Sequence, residues 1–238
     1  RLLPDEVLQV LAVIERRVTE RVPAAYITKE AWLGEYRFYV DERVLVPRSF
    51  IAELIPQQFS PWLVDPDGVE NVLELCTGSG CLAIMMADTF ANAVVDAIDI
   101  SKDALAVAET NIREYKLEGR VNPIESDLYE NVPFKKYDLI ISNPPYVNSE
   151  SMRTLPPEYL NEPQIALAGG EDGMDLVRKI IAGAAERLTP DGILVVEIGN
   201  EREYAEAAFG HLGLTWLTTS IGDDAVFLLT AEQLQTAQ

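Results

Sequence analysis

Four short apolar runs, Val72–Leu75, Val94–Ile98, Val121–Glu125 and Tyr137–Ser142, limit the fold of this 238-residue chain more than any other feature. Runs of this kind suit strands covered on both faces. The stretches between the first three have helical spacing, and strands separated by helices predict a parallel sheet. Cys81–Thr89 reads as one such helix, and Ser101 caps another that runs to about Tyr115. Further along, Met174–Leu188 reads as a helix and Ile193–Ile198 as a strand. A helix over 201–212 and two strands near 214–219 and 225–230 complete an α/β pattern.

The first 60 residues read differently. Val7, Leu8, Leu11, Ile14 and Val18 recur at helical spacing after Pro4-Asp5, which predicts a helix over 4–21. Trp32–Val40 predicts a hairpin turning at Gly34-Glu35, and Arg43–Val46 a third short strand. Pro47 ends that strand, and Ser49 is expected to cap a helix to about Phe59. Pro61, Pro66, Asp67 and Gly68 mark a loop, so residues 1–60 and 61–238 are expected to form two units. Residues 143–172 carry five prolines, and loops this long are usually functional or disordered.

Composition excludes some classes. Half of the residues are hydrophobic, 48%, enough for one good-sized core. No apolar run approaches the ~20 residues of a membrane helix. No secretory pattern opens the sequence, and Arg1 in place of Met suggests a start further upstream. Cys76 and Cys81 have no Cys or His cluster around them, so no metal site is expected and reduced cytoplasmic thiols are the simple reading. The formal charge is −20. Such a chain is repelled by a nucleic acid backbone and drawn to basic partners, with plain solubility as the competing reading.

Val72–Leu75 runs into Cys76-Thr77-Gly78-Ser79-Gly80 and then a helix. Glycines admit a ligand close to the backbone, and the helix offers free N–H groups. Asp99, at the end of the next strand, can accept from both hydroxyls of a ribose. These residues predict a nucleoside-containing ligand. Gly78-Ser79-Gly80-Cys81-Leu82-Ala83 also fits a dinucleotide fingerprint. Glu74 favours the ammonium group of a methionine moiety over a pyrophosphate, which it would repel. Asp127 can receive an adenine amino group, with Leu128 against the ring.

Asn143-Pro144-Pro145-Tyr146 ends the fourth strand, at the carboxyl edge where ligands bind in such sheets. The Asn143 side-chain oxygen and the Pro144 carbonyl can accept the two hydrogens of one –NH2 group, and Tyr146 can pack over the plane that carries it. An amide nitrogen is a poor nucleophile, so acceptors that orient it and stabilise developing positive charge are the chemistry required. The only histidine, His211, falls in a predicted helix far from this motif and reads as a surface or packing residue. No proton-transfer residue suits a nicotinamide enzyme. The absence of a basic track disfavours adenine methylation in nucleic acid, which uses the same four-residue string.

At these residues the chain resembles the protein-glutamine N5-methyltransferases. Arg21–Thr28, Val44–Arg48, Glu162-Pro163, Ala166-Leu167, Gly169-Gly170, Asp172-Gly173 and Glu197-Ile198-Gly199 carry the resemblance along nearly the whole chain. It implies a Rossmann-like class I methyltransferase with a seven-stranded, mostly parallel sheet and helices on both faces. The helix and hairpin before it would be the remnant of a substrate-recognition domain. It further implies S-adenosylmethionine as methyl donor, with S-adenosylhomocysteine as product. The donor's expected contacts are Glu74, Cys76, Thr77, Gly78, Ser79, Gly80, Asp99, Asp127, Leu128 and Asn143. Asn143, Pro144 and Tyr146 would be catalytic, with Pro145 beside them on the substrate. Two substrates are candidates, the third large-subunit ribosomal protein and a peptide-chain release factor. Ser49–Leu54 and Cys76-Thr77-Gly78 are similar to the ribosomal branch, although Phe50 departs from its usual proline. The negative charge suits a basic ribosomal protein, with no direct nucleic acid or membrane partner expected.

Overall fold

In the computed structural model, which describes residues 3–236, the chain begins with α1 (Pro4–Thr19) and α2 (Ala24–Thr28). A hairpin of β1 (Ala31–Leu33) and β2 (Tyr36–Phe38) follows, turning at Gly34-Glu35 as predicted. Then come α3 (Ile51–Leu54), β3 (Asn71–Leu75), α4 (Cys81–Thr89), β4 (Val94–Asp99), α5 (Lys102–Glu114), β5 (Val121–Glu125) and β6 (Tyr137–Ser142). The remainder is α6 (Asp175–Ala184), β7 (Leu188–Glu197), α7 (Arg202–Phe209), β8 (Thr215–Thr219), β9 (Gly222–Thr230) and α8 (Ala231–Thr236).

Seven strands form one sheet in the order β5-β4-β3-β6-β7-β9-β8. The first five are mutually parallel, and β9 runs antiparallel to both of its neighbours. Successive residues of each strand point to opposite faces. Val72, Val95, Leu139 and Val195 enter one buried cluster with α3, α4 and α5. Leu73, Ile98, Ile140 and Leu194 enter the other, with α6, α7 and α8. Residues of the first 60, among them Tyr26, Phe38, Val44 and Ile55, pack into the first cluster. The strand order reverses between β3 and β6, and ligands of open α/β sheets bind at the carboxyl ends of strands at such a switch point.

Three local expectations need correction. Residues 43–46 form no strand: they turn on Asp41, whose carbonyl accepts from the Val44 amide, while the Val44 carbonyl accepts from the Tyr26 hydroxyl at 2.5 Å. With those groups committed, no ladder can form. The helix after Ser49 is a single turn, because Pro56 shifts the chain into a short 3-10 segment, Ile55–Gln57. The helix of residues 174–188 stops at Ala184, since Leu188 already pairs with Tyr137 in the sheet.

Candidate functional site

The polar groups of the loop after β3 are satisfied by one another and by the elements around it. Glu74 is buried, and its Oε2 accepts from the Thr77 hydroxyl and from the Ala83 amide at 3.0 Å. Burial pushes its carboxyl up to about 8, while those donors oppose the shift. The Thr77 amide donates to the Ile98 carbonyl at 2.8 Å. The Asn111 side chain donates to the Ser79 carbonyl at 2.8 Å and so ties the loop to α5. Cys76, at the strand end, and Leu128, after β5, both hold left-handed backbone conformations that side chains rarely adopt. Such conformations cluster at ligand clamps.

Above this loop lies a cavity of about 220 Å³. Of the residues expected at the nucleoside, Cys76, Gly78, Asp99, Asp127, Leu128 and Asn143 line it, and Pro145 joins them. Asp99 is held from two sides: its Oδ2 accepts from the Gly78 amide at 2.8 Å and its Oδ1 from the Ser101 amide at 2.9 Å. Burial pushes this carboxyl up, and those two amides counter it. A Cβ built on Gly78 would meet nothing within 4 Å, so the loop opens onto free space at that point. Glu74, Thr77, Ser79 and Gly80 lie outside the lining and support the loop from beneath.

The loop after β6 has another construction. Ser142 Oγ donates to the Leu75 carbonyl at 2.8 Å, which locks the two strand ends together. Asn143 is half-buried on the cavity wall. Among the described residues its side chain finds no hydrogen-bond partner, so both amide atoms are unspent. Pro144 is buried, and the Tyr146 ring is half-buried outside the lining. Three glycines surround Tyr146. A Cβ on Gly199 would sit 2.5 Å from Cε2 of its ring, one on Gly169 2.6 Å from its Cα, and one on Gly173 against its carbonyl. Burial, then the nearby Glu197 carboxylate, pushes the phenol up.

Glu197, at the end of β7, reaches back to the N-terminal segment. Its Oε2 accepts from the Ser49 hydroxyl at 2.6 Å and the Phe50 amide at 2.8 Å. Glu197 therefore shares the capping of this turn with Ser49, whose Oγ accepts from the Ile51 amide at 3.2 Å. Burial pushes its carboxyl up to about 7.

Sequence reasoning missed much of the outer wall. Arg43, Val44 and Leu45 line the cavity, as do Pro163, Ile165, Ala166, Leu176 and Lys179. The only signals were the strings Val44–Arg48, Glu162-Pro163 and Ala166-Leu167, which carry no chemistry until the fold brings them together. His211 is exposed on a 3-10 turn, Gly210–Leu212. Cys76 and Cys81 are both free thiols. Among the described residues no group of three or more His, Cys, Asp or Glu could hold a metal ion, and no helix is long and apolar enough to cross a membrane.

The model of the methyltransferase small domain matches residues 61–158. A ribosomal protein uL3 glutamine methyltransferase of Burkholderia pseudomallei (strain K96243) is 60% identical over 241 residues, covering 98% of this chain and 78% of its own. One from Bordetella pertussis (strain Tohama I) is 56% identical, covering 99% and 79%. Among solved structures, a methyltransferase from Pyrococcus furiosus matches with a TM-score of 0.58 at 18% identity, over 93% of this chain and 98% of that one. That likeness is one of fold.

Proposed function

The chain belongs to the ribosomal protein uL3 glutamine methyltransferase family, and we propose on that premise that it transfers a methyl group from S-adenosylmethionine to the side-chain amide nitrogen of a glutamine in ribosomal protein uL3. The observation that carries this reading is the Asn143 amide: unspent, on the wall of the same cavity as Asp99.

The cavity residues fit the donor. Asp99, its carboxylate aimed by the amides of Gly78 and Ser101, accepts from the ribose hydroxyls. Asp127 and Leu128 take the adenine edge and face, and Gly78 leaves room for the ligand. Glu74 and Thr77 keep the loop in shape from below. When bound, S-adenosylmethionine supplies an electrophilic methyl group on a sulfonium.

The chain's own part in the reaction is orientation. Asn143 Oδ1 and the Pro144 carbonyl accept the two hydrogens of the target amide and turn its nitrogen toward the donor. Both acceptors gain strength as positive charge builds on nitrogen, so they favour the transition state over the ground state. Tyr146, held in its glycine surround, lies against the amide plane. No strong base is needed, because a methylated, protonated amide loses its proton readily. The net charge of −20 attracts a basic protein.

The test is incubation with labelled S-adenosylmethionine and purified uL3, a release factor, and bare RNA in parallel. Label on one glutamine of uL3, located by peptide mass spectrometry, is expected. Label confined to the release factor or to RNA would refute the assignment.

A further inference from the structure

The segment expected to be a strand, residues 43–46, instead crosses the cavity as a strap with no ladder to hold it. Side chains fix it. The Arg43 guanidinium donates to both oxygens of Asp41, at 2.9 and 2.7 Å. The Tyr26 hydroxyl holds the Val44 carbonyl at 2.5 Å, and Ser49 is tied to Glu197 at 2.6 Å. Between these lies a fourth tie of a different kind. Arg48 Nη1 and Nη2 donate to Glu162 Oε1 and Oε2, each at 2.8 Å, and the guanidinium sits over the Tyr159 ring at 4.8 Å. The Arg43–Asp41 pair is local to the strap, and the next two ties fasten it to α2 and to the end of β7. The fourth joins it to the long loop after β6.

That loop supplies another part of the cavity lining. Pro163 follows Glu162 directly, and Pro163, Ile165 and Ala166 line the same cavity as Arg43, Val44 and Leu45. A bidentate arginine–carboxylate pair fixes separation and angle together, which a point charge does not. The Glu162 side chain is 4% exposed and that of Arg48 35%. A pair this deeply placed contributes little net stability, because desolvation offsets the attraction. The pair joins two segments that both line the cavity, which gives it another use.

We propose that Arg48 and Glu162 are positioning residues for the methyl donor: their pair sets the spacing of the strap and the long loop, and thereby holds the nucleoside in the cavity beside Asn143. The inference rests on the proposed function. It assigns no contact between the pair and the ligand. The effect runs through Val44, Leu45, Pro163 and Ile165.

The test uses S-adenosylhomocysteine as probe, with affinity read by calorimetry and dissociation by stopped flow, beside thermal melting of each variant. Glu162→Gln keeps size and one acceptor oxygen, and Arg48→Lys keeps charge without the fork. Both are expected to weaken binding about tenfold, mainly through faster dissociation. The double variant Arg48→Met with Glu162→Leu refills the volume with apolar atoms. It is expected to melt near the wild-type temperature and still lose affinity to the same degree. Wild-type affinity and dissociation in all three variants, whatever their melting temperatures, would overturn the inference and leave the pair a fold staple. Wild-type protein that fails to bind the probe would overturn the proposed function, and this inference with it.

Discussion

Two loops leave adjacent strands at the same edge of the sheet, and their polar groups are used in opposite ways. The loop after β3 spends its side chains inward: Glu74 on Thr77 and Ala83, and the Gly78 amide on Asp99. The loop after β6 leaves Asn143 unspent on the cavity wall and uses surrounding glycines to seat Tyr146. A loop whose polar groups are already satisfied is a rigid platform, suited to binding. A side chain with open hydrogen-bonding capacity in a fixed position is suited to act on something that arrives. The contrast predicts that damage to the first loop falls on donor affinity, and damage to the second on turnover.

Apart from loss of Asn143 itself, Gly199→Ala is the largest break expected. Its φ of +54° is strained for any side chain, and the new methyl would overlap the Tyr146 ring. The ring must shift, and a displacement of about 1 Å in a positioning group costs roughly 10²-fold in rate. Turnover is expected to fall by at least about that factor, with S-adenosylhomocysteine affinity within a few-fold of wild type. Equal losses in both would erase the distinction between the loops.

Asp99→Ala comes next. It removes the charged acceptor that Gly78 and Ser101 aim into the cavity. Donor binding is expected to weaken by about 1.5–3 kcal/mol, as for hydrogen bonds to a charged group. Calorimetry that finds unchanged affinity would remove Asp99 from the ribose.

The smallest effect is expected at Glu74. Its carboxyl rises from an ordinary 4.5 to about 8 in the fold, so the folded state holds its proton more tightly than the unfolded chain. The stability this contributes is complete below about pH 4.5 and declines as pH rises toward 8. Glu74→Gln, which keeps an acceptor for Thr77 and Ala83, should flatten the fall in melting temperature across that window. Donor affinity should change by no more than a few-fold. A melting profile that keeps the wild-type slope would show that Glu74 does not titrate there.

Legibility in the sequence divides along the same line. β5 and β6 begin and end where expected, because buried strands in an α/β sheet announce themselves as apolar runs. The place of Asp99 and Asn143 on the cavity was legible because each stands at the end of such a run. Arg43–Leu45 and Pro163–Ala166 were not, because they come to line the same cavity only after about 120 residues of chain fold between them. Local propensity misled at 43–46, where three apolar residues suggest a strand but Asp41 and Tyr26 hold the backbone groups. Glu74 is a case of a different kind. The sequence places a carboxylate beside the loop but does not reveal that Thr77 and Ala83 draw it underneath.

The central claim is that Asn143 holds the target amide, and the most direct measurement is single-turnover transfer by Asn143→Ala to purified uL3, beside its affinity for S-adenosylhomocysteine. A fall in rate of roughly 10²–10³, by analogy with removal of one oxyanion-hole donor, with affinity nearly unchanged, is the predicted result. Near-normal turnover, with methylated glutamine as product, would mean that other groups hold the amide and would contradict the account.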